Sequence, residues 1–350
     1  MICAEDETSR IAAVLAEYGR NRNLKIRCTV CGAKMDMTDL YPFEVIKCPG
    51  CHSDICRPAF FGNYLLKENL PPQDPLTSIY LARDLKLERD ILIRILNPSL
   101  SENRELTYLY LKTARTLAVF NHPSAVPIYN CGEIMGLFFI AARKPDGSSL
   151  ETLMNEYGDR PFPESRVVAW MSQIISALKK AEELKICHGN LSPCHLLQDG
   201  EDRILISGFG IGELSAVSGI SLSAPCSAPE RDLTVQRDLC NAGMIFFRLL
   251  AGRFPEPGER ELPKKIKLEN PPISGLIRFM LEPDPLLRIT PANALVILEQ
   301  IENKIKSKGK RKKTEEGSLK RKYVLVLVIL VFLLLSGAAA GFFFLFPMNR

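Results

Sequence analysis

Residues 186–198 read ICHGNLSPCHLLQ, and ILISGFG follows at 204–210. Downstream come SAPE at 227–230, RDLCNAGMIFFRLLAGRFP at 237–255 and DPLLR at 284–288. Upstream lie DILIRIL at 90–96 and NHPSAVPIYNCGE at 121–133. Around this centre the pattern is ordered. Short strand-like runs come first, at 64–66, 79–82, 91–96, 126–129 and 137–141, interrupted by one amphipathic helix over about 103–119. After Gly147 helical periodicity dominates, over about 164–185, 236–251, 274–281 and 291–304. Strands followed by helices predict an α+β body of two lobes.

The order and spacing of these segments resemble a eukaryotic-type Ser/Thr protein kinase over roughly 240 residues. In that family the first segment is H-R-D-L-x-x-x-N, followed by D-F-G and A-P-E. An Asp in a long helix comes next, and an Arg near the end. The resemblance implies structural roles for five residues present here. His188 and Phe209 stack between the lobes, Asp238 holds the catalytic-loop backbone, and Glu230 pairs with Arg288.

Other positions depart from the pattern, and the chemistry shows why this matters. Phosphoryl transfer is mainly positioning and charge stabilisation around Mg-ATP. The phosphate-gripping Lys of the family is Arg94 here, a bulkier planar cation. Its Glu partner is expected near Thr113, yet no Asp or Glu occurs from Leu106 to Gly132. The glycine-rich phosphate loop is expected near 69–82, where the sequence has no glycine and three prolines, Pro71, Pro72 and Pro75. Asn190 stands at the general-base Asp, Gly189 at the phosphate-reading Arg, His195 at the metal-binding Asn and Gly208 at the metal-binding Asp. An amide is no useful proton acceptor. These departures argue against ATP/Mg2+ binding and lead to the expectation of a pseudokinase, a non-enzymatic signalling scaffold acting through protein–protein contacts. A partner of this kind is another kinase or its substrate. The alternative is an atypical active kinase transferring phosphate from ATP. Its test is a carboxylate able to hold Mg near Gly208; the nearby acids Asp199, Glu201 and Asp202 are expected to face solvent in an interstrand loop. Cys187, His188, Cys194 and His195 resemble a metal cluster by composition, but the loop is expected to point their side chains apart. Ser215, Ser218, Ser221, Ser223 and Ser227 offer hydroxyls for phosphorylation but read as plain loop serines.

Nearer the N-terminus, Ile11, Val14, Leu15 and Tyr18 recur at helical spacing over 8–20, a packing or partner helix. RCTVCGAKM…IKCPGC then places Cys28, Cys31, Cys48 and Cys51 as two C-x2-C pairs, with Gly32 and Gly50 beside them. Four thiolates on two tight turns suit tetrahedral zinc, so this segment resembles a zinc ribbon, with zinc in a structural role. His52 and Cys56 are reserve ligands. The basic residues Arg22, Lys25, Arg27 and Lys34 lack interleaved aromatics, which disfavours nucleic acid as a partner.

The C-terminal composition is different. Residues 302–322 hold ten basic residues against three acids, while the whole chain is only +5. Residues 324–346 carry no charge and are long enough to cross a hydrocarbon core of about 30 Å. The start, MICAEDETSR, has no apolar signal-peptide region. The expectation is a single-pass membrane protein with its N-terminal domains in the cytoplasm and its basic flank on anionic lipid. The expected division is an N-terminal helix (1–20), a zinc ribbon (21–60), a kinase-like domain (61–305), a basic linker (306–322) and a transmembrane helix (323–347).

Overall fold

The computed structural model describes residues 4–19, 23–200, 202–222, 226, 228–230, 232–261, 267–305 and 307. The chain divides into units 1–298 and 299–350. The sheet and the helical lobe both belong to the first.

Helix α1 (Ala4–Gly19) begins four residues earlier than its apolar spacing suggests. Two small hairpins follow: β1 (Lys25–Arg27) with β2 (Lys34–Asp36), and β3 (Val45–Lys47) with β4 (Asp54–Cys56). Next is a six-stranded antiparallel sheet built from β5 (Ala59–Phe61), β6 (Tyr64–Leu70), β7 (Thr77–Asp84), β8 (Arg89–Leu96), β9 (Ile128–Ile134) and β10 (Leu137–Arg143), in the order β5-β6-β7-β8-β10-β9. One face of the sheet is apolar and needs a cover. Ile11 and Leu15 of α1 supply it, burying themselves against a cluster that includes Phe61, Tyr80, Ile93 and Phe139. The hairpin pair is seated on the same sheet. Phe43 stacks on Tyr80 at 5.2 Å, and buried Arg57 donates to the Met37 carbonyl at 3.1 Å.

Helix α2 (Arg104–Val119) starts where the Asn103 side chain accepts from the Leu106 amide. Leu106, Tyr110 and Ala114, four apart, form its buried stripe. The helical lobe contains α3 (Leu150–Tyr157), α4 (Glu164–Glu183), α5 (Ile211–Ser218), α6 (Val235–Ala251), α7 (Pro257–Glu261) and α8 (Pro271–Met280). Trp170 of α4 is fully buried, and Thr234 caps α6 by accepting from the Arg237 amide. Helix α5 was not expected: Ser215 and Ser218 lie on it rather than in a loop, because Ile211 and Leu214 bury against Leu106 and Tyr110. The short hairpin of β11 (Leu196–Asp199) and β12 (Arg203–Ile206) completes the lobe.

Two expectations need correction here. Asp199 does not face solvent: its side chain is 3% exposed and pairs with Arg143 at 2.9 Å and Arg203 at 3.4 Å. Glu201 lies outside the described residues. The expected single-pass membrane location is also corrected: among the described residues no helix is long and apolar enough to cross a membrane, and 324–346 lies outside them.

Candidate functional site: the cleft between the lobes

The β11–β12 hairpin builds the centre of the site. Its register pairs Leu196 with Ile206, so His195 and Ser207 emerge side by side, and the Ser207 amide donates to the His195 carbonyl at 2.9 Å. The same hairpin ties the lobes together: the Ile206 amide donates to the Ser124 carbonyl at 2.8 Å, and the Val126 amide to the Ile206 carbonyl at 3.0 Å. The preceding loop is held from below. The Asp238 carboxylate, fully buried on α6, accepts from the His188 amide at 2.6 Å and the Gly189 amide at 2.9 Å. Burial pushes Asp238 up to about 7, against the pull of those two amides. Glu230 forms a two-pronged ion pair with Arg288, whose guanidinium is fully buried and also donates to the Gln236 and Glu282 carbonyls.

His188, His195 and Phe209 form one aromatic cluster. The imidazoles meet edge-on at 4.7 Å, which corrects the expectation that the loop would separate them; His188 lies 5.6 Å from Phe209. His188 Nε2 is 2.8 Å from the Ser207 carbonyl. Burial lowers His188 to about 4, and burial together with the His188 charge lowers His195 well below the usual imidazole range. Two buried polar atoms of this loop have no hydrogen-bond partner among the described residues: Asn190 Oδ1 and His195 Nε2.

Both glycine departures have a steric basis. Gly208 has φ +79°, and a Cβ there would stand 2.9 Å from His195 Cδ2. Gly189 also has φ +79°, and its Cβ would stand 2.7 Å from the Cα of Gly212 at the start of α5. The histidine ring thus occupies the space a carboxylate at 208 needs, and the backbone of α5 occupies the space an arginine at 189 needs.

The cleft itself lies between β7, β8 and β10 above and the β11–β12 hairpin below, with α2 closing one side. Its free space is about 870 Å³ with the solvent-open mouth counted in, so it is a groove and not an enclosed cavity. Ile79, Leu92, Val126, Ile140, Leu197 and Ile206 make it apolar, and Arg94 is the only charged residue among the described ones that line it. Thr113 also lines it, where a Gly210 Cβ would stand 2.5 Å from its Cγ2. Arg94 does have a carboxylate partner, from an unexpected element. Asp74, in the proline-rich loop between β6 and β7, accepts from Arg94 Nη1 at 3.0 Å and from the Leu76 and Thr77 amides. Gln73 beside it accepts from Arg94 Nη2. Sequence reasoning missed Gln73 and Asp74 because the search for a partner stayed on the helix. The available signal was a lone acid within a segment that aligns with the phosphate loop but lacks its glycines.

In the hairpin pair near the N-terminus, Cys28, Cys31, Cys48 and Cys51 bring their sulfurs within 4.8 Å of one another. Cys28 to Cys51 is 3.7 Å and Cys31 to Cys48 is 3.5 Å, close to the edge of a tetrahedron with bonds of about 2.3 Å. The Val30 and Gly50 amides donate to Cys28 and Cys48 at 3.4 Å each. The Cys31 amide and the Ser53 hydroxyl hold Cys28 down to about 6, whereas, against the pull of the Ala33 amide, the Cys48 and Cys51 sulfurs push Cys31 up to about 12. Cys56 Sγ instead donates to the Phe43 carbonyl, and His52 is outside the cluster.

No family model matches the chain. It is 27% identical over 194 residues to the Serine/threonine-protein kinase PrkC of Bacillus subtilis, covering 53% of this chain and 30% of that protein. It is 28% identical over 205 residues to the Serine/threonine-protein kinase PknD of Mycobacterium tuberculosis, covering 56% and 30%. The match thus spans under a third of the length of these relatives. Among solved structures, the PknI kinase domain of Mycobacterium tuberculosis superposes with a TM-score of 0.56 at 18% identity, over 70% of this chain and 98% of that one. These findings overturn the expectation of a non-enzymatic pseudokinase scaffold, since the relatives are named as enzymes and favour the alternative of phosphate transfer. The physical ground is that transfer depends on positioning more than on covalent work by the protein, so altered side chains do not settle the question. The described body is a two-lobed, kinase-like α+β fold, and its homologues are Ser/Thr protein kinases.

Proposed function

We propose that residues 61–305 form an atypical Ser/Thr-kinase-type domain that seats ATP in the interlobe cleft and passes its terminal phosphate to a hydroxyl. The observation that carries this reading is Asn190 Oδ1, a buried acceptor with no partner among the described residues, at the position where the resemblance places the group that receives the hydroxyl. The apolar walls from Ile79, Leu92 and Leu197 suit a purine ring. Asn190 Oδ1 accepts the hydroxyl hydrogen bond and orients its oxygen. The new O–P bond forms as the bond to the leaving diphosphate breaks. The proton passes to a phosphoryl oxygen, because the amide cannot take it. The residues present do not fit a protein-held Mg2+: Gly208 has no side chain, His195 fills the adjoining space, and no carboxylate lines the cleft among the described residues. No step is routed through the metal.

The four-cysteine cluster is read as a structural zinc site within a ribbon over 21–60; the sulfur spacing supports this. A full thiolate shell leaves no open position for catalysis.

The test of the transfer reading is labelled-phosphate incorporation into the protein itself and into a generic basic substrate, with and without Mg2+. Wild type should incorporate label above background and Asn190→Ala should lose most of it, about 100-fold if the group orients the nucleophile. Background incorporation by wild type under every condition would refute the reading.

A further inference from the structure

Gln73 joins the two lobes. Its Nε2 donates to the Cys194 carbonyl at 3.0 Å, and its Oε1 accepts from Arg94 Nη2 and, at 3.3 Å, from the Ser207 hydroxyl. Cys194 Sγ answers by donating to the Gln73 carbonyl at 3.6 Å. One side chain therefore bridges strand β8, the catalytic loop and the residue preceding Gly208. Asp74, its neighbour, has a fully buried carboxylate whose two oxygens accept from Arg94, the Leu76 and Thr77 amides and the Thr77 hydroxyl. Pro71, Pro72 and Pro75 stiffen the segment and remove amides that would otherwise be free to bind an anion.

The electrostatic consequence is specific. Arg94 is the one charge among the described residues lining the cleft, and both of its terminal nitrogens are already engaged. A triphosphate entering this arrangement gives up its hydration and meets no free cation among the described lining residues. The remaining cleft wall is apolar and suits an uncharged flat ring.

We propose that Gln73 is a specificity-determining latch. Bridged across the lobes, it lets the cleft accept the uncharged nucleoside half of a nucleotide and closes the seat of the phosphates; released, it frees Arg94 and admits the triphosphate. The ligand part rests on the nucleotide reading above, whereas the bridge itself does not. Release removes the population penalty on triphosphate binding, because apparent affinity scales with the open fraction.

The test uses the full chain as wild type, Gln73→Met and Gln73→Ala, the first keeping the side-chain length without any of the three side-chain hydrogen bonds. Adenosine and ATP affinities are measured by calorimetry, and Cys194 alkylation by iodoacetamide is followed by peptide mass mapping. Wild type should bind adenosine more tightly than ATP. Both variants should gain about tenfold for ATP, little for adenosine, and label Cys194 about tenfold faster. If neither ligand binds any of the three proteins while Cys194 labelling still accelerates, the latch stands and the nucleotide reading falls. Equal labelling rates in all three folded proteins, or an ATP affinity unchanged by both substitutions where ATP binds, overturns the latch.

Discussion

His195 and Gly208 are interdependent. The imidazole lies where a side chain at 208 would project, and the backbone at 208 is left-handed as well. Gly208→Ala therefore combines a left-handed alanine with a contact of 2.9 Å, and should cost about 1–3 kcal/mol in urea unfolding. Retained stability would show that the loop relaxes away from the ring. The paired imidazoles also make stability depend on pH. Each is neutral when folded and takes up a proton more readily when unfolded. Their contribution is complete above pH 6.5 and is lost as pH falls toward 4, with His188 alone contributing about 3 kcal/mol. Unfolding midpoints for wild type and His195→Asn across that window separate this from Asp238, which titrates in both proteins. The wild-type slope should be the steeper, and identical slopes would contradict the account.

At the scale of elements, α6 acts as the post that carries the loop over 186–195. Its Asp238 satisfies two buried amides, of His188 and Gly189, in a turn with no other described partner for them. Asp238→Ala should leave both unpaired and cost about 2–5 kcal/mol, with Asp238→Asn, which keeps one acceptor oxygen, losing less. Chemical denaturation of the three proteins checks the order. The role of Asp238 on α6 was implied in advance only by the family resemblance, which places an Asp of the long helix against the loop backbone. The α5 helix was not readable. Its few turns carry glycine and serines and show no stripe of their own, and they become helical only against Leu106 and Tyr110 of α2.

In the whole molecule the cysteine hairpins are part of the body that carries the sheet. Phe43 on Tyr80 links them to the strands, Arg57 on the Met37 carbonyl ties the two hairpins together, and α1 packs over the same face. Full-length protein should contain one equivalent of zinc by elemental analysis, lost on Cys48→Ser. Chelation should lower the main unfolding midpoint by several degrees rather than melt a separate ribbon. One retained equivalent in Cys48→Ser protein would remove Cys48 from the metal site, and a main midpoint indifferent to chelator would sever the ribbon from the fold.

The local rules of the chain determined the elements that depend on spacing. C-x2-C pairs close onto one another wherever tight turns present them, so the four-cysteine cluster follows from residues 28–51 alone. Apolar runs and helical stripes likewise marked five of the six sheet strands, all but β5, together with α2, α4 and α6, and the ordered motifs marked the two lobes. Tertiary structure decided what depends on distance between segments far apart in sequence. Asp74 became the partner of Arg94, across 20 residues and a strand turn, because the loop bends its carboxylate onto β8. Gln73 reached Cys194 and Ser207, more than 120 positions away, because the hairpin register brings the lower lobe beneath the proline-rich loop. Periodicity and motif order report which face a residue presents, but an ion pair or a bridge needs two faces to meet, and only the folded chain sets where they do.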